Sequence, residues 1–414
     1  MNYNLIKIFS VLLLLAILSC RSDDKGGGGS DGGEGTLPSP ENVTKTNSMK
    51  LYMHYMPWFE TKESNNGSWG YHWTMHTRNP DKILSNGQRE IASYYYPLIG
   101  PYHSGDQDVI ENHLLLMKYA GVDGILINWY GTFNLNDFPV NKQNSEQIIS
   151  MLSKVGMKYA IVYEDRFLND IVNAGLAITA STAARDDFNY VQTHYFSDPN
   201  YIKNNEKPLL LNFGPIVLKT EEEWTKAFSL LNTKPEFYTL WYDSGSAGNN
   251  ASGEFAWVYQ DNSHLANFYN IRANQIPKAI AGAYPGFKDY YAEGGEGSGL
   301  GWTIPHNNGA TLDETLSLAK NSGLNQLQLI TWNDFGEGTM IEPTVEFGYS
   351  YVKKLKNFAG VQNTGDVFED IGKLFTLRKK YAGNAQIQDK LNSARAYFAA
   401  VQPDKAKSIL NEIQ

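Results

Sequence analysis

Gln326-Leu327-Gln328-Leu329-Ile330-Thr331 runs directly into Trp332-Asn333-Asp334-Phe335-Gly336-Glu337-Gly338. A short, largely apolar run that ends in a glycine-flanked turn reads as a buried strand delivering its last residues to a loop. Seven similar runs precede it. Moving back along the chain, they are residues 279–283, a weaker run at 255–259, then 237–241, 208–212, 158–163, 124–128 and 51–56. Amphipathic stretches at 108–119, 144–155, 221–231 and 312–322 lie between them and read as helices. Strands alternating with helices imply a parallel sheet, and eight strands in this length imply a (β/α)8 TIM barrel. A doubly wound open sheet would alternate too, but no G-x-G-x-x-G follows the first run. The stretch 59–108 is too long for a plain connection and is expected to wall the active site.

Past residue 355 the pattern changes to lysine-, alanine- and leucine-rich segments at 366–381, 385–400 and 403–413. These predict a C-terminal helical extension over 356–414, with the barrel itself at 49–355. Before the barrel, residues 21–48 are rich in Gly, Ser, Pro and Asn and are expected to be a flexible tether. Residues 1–20 read as an export signal. Lys7 supplies a positive flank, an apolar stretch too short to span a bilayer follows, and Leu18-Ser19-Cys20 is similar to a lipobox. The single cysteine of the 414 residues stands where lipidation requires it. Ser22-Asp23-Asp24 after it resembles a surface-export signal of bacterial lipoproteins, which implies a lipid-anchored outer-membrane protein exposed at the cell surface.

Composition narrows the function. One cysteine excludes a disulfide framework and any cysteine-based zinc site. A formal net charge of −9 argues against nucleic acid, which calls for a basic face. Aromatic residues reach 13%, with 26 Tyr and 9 Trp. Such a number serves either a large barrel core or the stacking of sugar rings. His54, His72, His76, His103, His194 and His306 show no metal-binding spacing, so no metal and no cofactor is expected.

In a barrel of this kind chemistry sits at the C-terminal ends of the strands. There the sequence places Trp58, Trp129, Tyr130, Glu164, Asp165, Tyr242, Asp243, Tyr284, Trp332, Asp334 and Glu337. Aromatics for stacking alternate with carboxylates for proton transfer, and glycoside cleavage needs two carboxyl groups flanking the scissile bond. Asp334 and Glu337, three apart in one turn, fit that need, although a D-x-x-E spacing alone also suits a helix cap.

The stretch Trp332 to Pro343 resembles the W/F-N-E-x-x-E-G-T-x-I-E signature of glycoside hydrolase family 99, the endo-α-mannosidases and endo-α-mannanases. Tyr55-Met56-Pro57-Trp58, Gly100-Pro101-Tyr102-His103-Ser104 with Asp106, and Ala120-Gly121-Val122-Asp123-Gly124 leading to Trp129 extend the resemblance over residues 50 to 350. Family 99 has Glu where this chain has Asp334, and W-N-D-x-G-E is closer to family 71, the α-1,3-glucanases. The chain is therefore similar to a mixed family 71/99 group. The resemblance implies that Asp334 acts as a base on the substrate 2-hydroxyl and Glu337 as general acid and base; the shorter Asp334 could instead position a water. It implies a stacking role for Trp129. Tyr55, Trp58, His72, Glu164, Tyr242 and Trp332 complete the expected substrate-binding set, and the expected partner is an α-linked polysaccharide or oligosaccharide. An endo-acting α-mannan hydrolase is the first expectation. An α-1,3-glucanase, a sugar transferase and a non-catalytic surface glycan-binding lipoprotein are the alternatives.

Overall fold

A computed structural model describes residues 37–413 of the chain. Cys20, the export signal around it and residues 21–36 of the expected tether lie outside the described residues. Eight parallel strands form the barrel: β1 (Lys50–Tyr55), β2 (Gly124–Trp129), β3 (Lys158–Tyr163), β4 (Lys207–Asn212), β5 (Glu236–Leu240), β6 (Gly253–Phe255), β7 (Ala279–Ala283) and β8 (Gln326–Leu329). Each pairs with the next, and β1 pairs with β8, so the sheet closes without an edge. A two-residue strand, Lys203–Asn204, folds back antiparallel on the start of β4. The expected (β/α)8 barrel with C-terminal helices is the observed fold.

The sixth strand differs from its expected place. It spans Gly253–Phe255 rather than 255–259, and its middle residue is the fully buried Glu254. Arg272 pairs with Glu254 through two hydrogen bonds, and the backbone amides of Tyr242 and Ser244 donate to it at 2.8 and 3.2 Å. A compensated charge inside a strand breaks the apolar run by which strands are found in a sequence. The apolar residues just beyond it leave the sheet, and Trp257 enters the barrel mouth.

Three of the longer helices escaped the periodicity reading for other reasons, and one of them, Ser350–Ala359, straddles the boundary expected at residue 355. Ala180–His194 opens with a capping box between Thr179 and Thr182, but its buried face carries Ser181 and Asp187 among small alanines, which breaks the apolar stripe. Asn262–Asn270 is short and is capped by Asp261. The helix expected at 221–231 stops at Ala227.

At the C-terminus, helix Phe368–Lys380 packs beside the barrel helix Gln107–Tyr119, while Ala385–Ala399 packs against Pro403–Glu412 and the barrel helix Phe138–Val155. Arg378 donates twice to the buried Glu111, at 3.0 and 2.9 Å, and Lys379 pairs with Asp106 and Asp108. Residues 41–47, which composition placed in the tether, are bonded to the body. Glu41 and Asn47 donate backbone N–H groups to Ala399 and Ala359, and Lys45 forms an ion pair with Asp123. A polar segment holds its place there because its backbone groups find partners.

Candidate active site

Strand parity decides what reaches the barrel mouth, because successive side chains point to opposite faces. On β1, His54 points inward; its Nε2–H donates to Asn128 Oδ1 at 3.2 Å and its Nδ1 accepts from Gln328 Nε2 at 2.9 Å. Burial lowers the His54 pKa to about 4, which keeps the ring neutral and fits this tautomer. Asn128 then donates to Glu164 Oε1 at 2.8 Å. A one-way hydrogen-bond chain thus runs from Gln328 through His54 and Asn128 to Glu164, whose other oxygen meets Arg166 Nε at 3.0 Å.

Above this layer lies a cavity of about 360 Å³. Met56 and Trp58 from the end of β1, Asn128 and Tyr130 from β2, Glu164 and Arg166 from β3, and Asp334 and Glu337 beyond β8 all line it. The long segment after β1 contributes Phe59, Tyr71, His72 and Met75, so it walls the site as expected. Trp58 stacks on His72 with centroids 4.2 Å apart and planes 5° apart. Apolar ring faces beside carboxylates suit a sugar, whose C–H face is flat and whose hydroxyls are directional.

The turn after β8 is built to hold its carboxylates. Asp334 N–H donates to Thr331 Oγ1 at 2.8 Å, and Asp334 Oδ1 accepts the Glu337 N–H at 3.0 Å. Tyr291 O–H donates to Glu337 Oε1 at 2.8 Å. Gly338 sits at φ +65°, and a Cβ there would stand 2.9 Å from the Lys288 carbonyl, so the turn needs glycine. Burial, and then the facing Glu337, hold the Asp334 carboxyl well above its usual range. Burial raises Glu337 as well, against the lowering by Tyr291 and Arg166. Two such carboxyls retain a proton between them where isolated groups would both be ionised.

Of the expected site residues, Trp58, His72, Glu164, Asp334 and Glu337 meet around this cavity. Four others do not, and their expected contacts with a ligand are corrected. Tyr55, Trp129 and Trp332 are at most 1% exposed and point outward to the helices. Tyr55 bonds His113 at 2.9 Å, Trp129 stacks near Tyr190, and Trp332 packs against His113. Tyr242 stands on the surface at φ +65°, against Phe268 and Arg272. Tyr130, one residue past Trp129, takes the inward place.

The reading of strand ends missed Tyr291, Tyr71 and Trp257. Tyr291 follows a loop with no strand signal, and only its neighbour across the barrel gives it meaning. Among the described residues no group of three or more His, Cys, Asp or Glu could hold a metal ion. His103 bonds Asn144 at 2.9 Å, and Asp106 caps helix Gln107–Tyr119, so both serve the scaffold.

No family model matches the chain. The structure of a glycoside hydrolase family 99 endo-α-mannosidase from Bacteroides thetaiotaomicron superposes with a TM-score of 0.60 at 21% identity, covering 79% of this chain and 99% of that one. The chain has its fold. A glycoside hydrolase-like protein superposes with a TM-score of 0.54 at 13% identity, covering 78% and 98%. In sequence, a glycoprotein endo-α-1,2-mannosidase-like protein of Danio rerio is 28% identical over 115 residues, 24% of this chain. A human protein of the same name is 26% identical over 72 residues, 17% of this chain. The matches span 26% and 15% of those relatives' own lengths. At 21% and 13% identity the likeness to the solved structures shows the fold.

Proposed function

We propose that the chain is a glycoside hydrolase that cuts an α-linked oligosaccharide or polysaccharide internally, in the manner of an endo-α-mannosidase. The observation that carries this reading is the Asp334–Glu337 pair in an aromatic-walled cavity at the C-terminal mouth of the barrel, with Tyr291 on Glu337. The pair supplies both an acid and a base when its shared proton sits on Glu337 and leaves Asp334 ionised. Before a sugar binds, burial and the facing Glu337 raise Asp334 the further of the two. Asp334 takes the proton of the substrate 2-hydroxyl as that oxygen attacks C1 and the bond from C1 to the departing sugar breaks. Glu337 gives its proton to the departing oxygen. Water then attacks C1 and opens the strained ring, returning a proton to Glu337, while the freed O2 recovers its proton from Asp334. Two inversions give net retention. Glu164, Arg166, Trp58 and Tyr130 bind and orient the sugar.

Incubation with a panel of α-mannans and α-glucans, with sizing of products and NMR of the first anomer formed, tests the reading. Shortened oligosaccharides of retained configuration from mannan are expected, together with a loss of about 10³-fold or more in Glu337→Gln. Single sugars alone would exclude internal cleavage. An inverted product would move Asp334 to the positioning of water. Cleavage of glucan alone would give the substrate to the family 71 type. Undiminished turnover in Glu337→Gln would end the assignment. We further propose that Cys20 anchors the enzyme by lipid at the outer-membrane surface. Radiolabelled palmitate should be incorporated by the wild type and not by Cys20→Ala.

A further inference from the structure

Three sequence stretches singled out above meet behind the cavity, although none of their meeting residues lines it. Tyr55 ends β1, Tyr102 lies in the loop before helix Gln107–Tyr119, and Glu342 follows the turn after β8. Tyr55, Tyr102, His113, Asn333 and Glu342 are all 4% exposed or less.

Their hydrogen bonds run in one direction. Tyr55 O–H lies 2.9 Å from His113 Nδ1, and His113 carries a proton on Nε2 because the carboxylate beyond it accepts. That Nε2–H donates to Glu342 Oε1 at 3.2 Å. From the other side Tyr102 O–H donates to Glu342 Oε2 at 2.7 Å. The Tyr102 oxygen, having spent its proton on Glu342, accepts from Asn333 Nδ2 at 3.0 Å. The Met56 backbone settles the sense of the Asn333 amide: its Nδ2 also donates to Met56 O at 3.0 Å, and its Oδ1 accepts the Met56 N–H at 2.8 Å.

Asn333 immediately precedes Asp334, and Met56 lines the cavity. Tyr102, anchored on the buried carboxylate, therefore adds a third bond to the amide that ties the Asp334 turn to the end of β1. The backbone reinforces the tie, since Glu342 N–H donates to Trp332 O at 2.8 Å and Trp332 N–H to His54 O at 2.7 Å. Sealing a charge inside a barrel wall costs several kcal/mol, and apolar packing would be the cheaper way to fill the same space. What the charge adds is an anchor for Tyr102. An apolar residue at 342 leaves the Tyr102 hydroxyl without its acceptor, and Asn333 keeps only its two bonds to the Met56 backbone firmly held.

We propose that Tyr102, anchored on Glu342, is a positioning residue for Asp334, acting through Asn333. The inference rests on the reading of Asp334 as a reacting group, and its test has one arm that needs no turnover. Carboxyl carbons are labelled in aspartate, and the Asp334 resonance, assigned by its loss in Asp334→Asn, is titrated in the wild type and in Tyr102→Phe. Tyr102→Phe keeps the ring, its packing and the Glu342 charge, and removes only the hydroxyl between them. The groups facing Asp334 are Glu337, Glu164, Tyr130 and Tyr291, and none is altered. A loosened turn weakens the Glu337 N–H bond to Asp334, so the Asp334 pKa is expected to rise by about half a unit or more.

In the second arm, Tyr102→Phe lowers kcat by about 10- to 100-fold with KM within about twofold, as misplacement of a reacting group does. In an Asp334→Asn background the same substitution should cost nothing further. A purely structural role would lower thermal stability and leave both the Asp334 titration and kcat per folded molecule unchanged, and that result overturns the proposal. If the wild type cleaves no glycan, the functional reading fails by itself, and the titration alone decides whether Tyr102 governs Asp334.

Discussion

Two hydrogen-bond chains descend from the same barrel wall and end in opposite ways. The inner one, Gln328 to His54 to Asn128, ends on Glu164 in the cavity, where Arg166 also reaches it. The outer one, from Tyr55 and His113 on one side and Asn333 and Tyr102 on the other, ends on Glu342, sealed from solvent. Both run through a buried histidine ring. The inner carboxylate faces the cavity, while the outer one is sealed behind it. The sealed carboxylates further from the mouth follow the outer pattern, with a cation added: Glu111 holds Arg378, and Glu254 holds Arg272. Asp187 has donors but no cation. Tyr163 O–H, Thr132 N–H and Thr132 O–H approach it at 2.7, 2.7 and 2.8 Å.

If sealed pairs carry stability and open carboxylates carry binding, Glu111→Gln should show the largest effect, and on stability alone. Arg378 would remain buried beside an uncharged partner, at a cost of about 3–5 kcal/mol. Denaturant unfolding should report that loss, with kcat per folded molecule unchanged; a large fall in kcat instead would break the division. Asp187 gives the next effect. Burial raises its pKa to about 7, above its value in the unfolded chain. The folded state therefore keeps a proton that the unfolded state releases. The contribution to stability is full below about pH 4 and is lost as pH rises through about 7. Asp187→Asn should flatten the fall in melting temperature between those values, and an unchanged slope would refute the assignment.

A smaller effect, in a different observable, belongs to the inner chain. Glu164→Gln keeps the acceptor for Asn128 and removes the charge facing Arg166, so KM should rise about 10-fold with stability altered by less than about 1 kcal/mol. The reverse outcome, lost stability with KM intact, would place Glu164 among the sealed carboxylates. Smallest of all, Trp129→Phe should leave KM within about twofold, because Trp129 touches helices and not the cavity, whereas Trp58→Ala should raise it. A large rise in KM for Trp129→Phe would return that ring to the sugar.

Much of this was legible in the chain. Seven of the eight strands lie where apolar runs predict them, because a parallel barrel buries both faces of each strand and writes itself as unbroken runs. The sixth hid behind Glu254, whose partner Arg272 is 18 residues away in the chain. The Asp334–Glu337 turn was visible because its glycines and carboxylates are local. Tyr291 was not, since its significance is one hydrogen bond to a residue 46 positions distant.

What the sequence determined by itself was the succession of strands, the turn that carries two carboxylates, and the family it resembles. What only the tertiary structure decided was which face each strand-end residue takes. Trp129 and Tyr130 are neighbours of similar chemistry, and nothing in their order says which points inward. When both faces of a strand are buried, apolar character no longer marks the inside. The side is fixed only when the sheet closes, with His54, Asn128 and Gln328 interlocked within it, so that Tyr130 meets the cavity and Trp129 meets a helix.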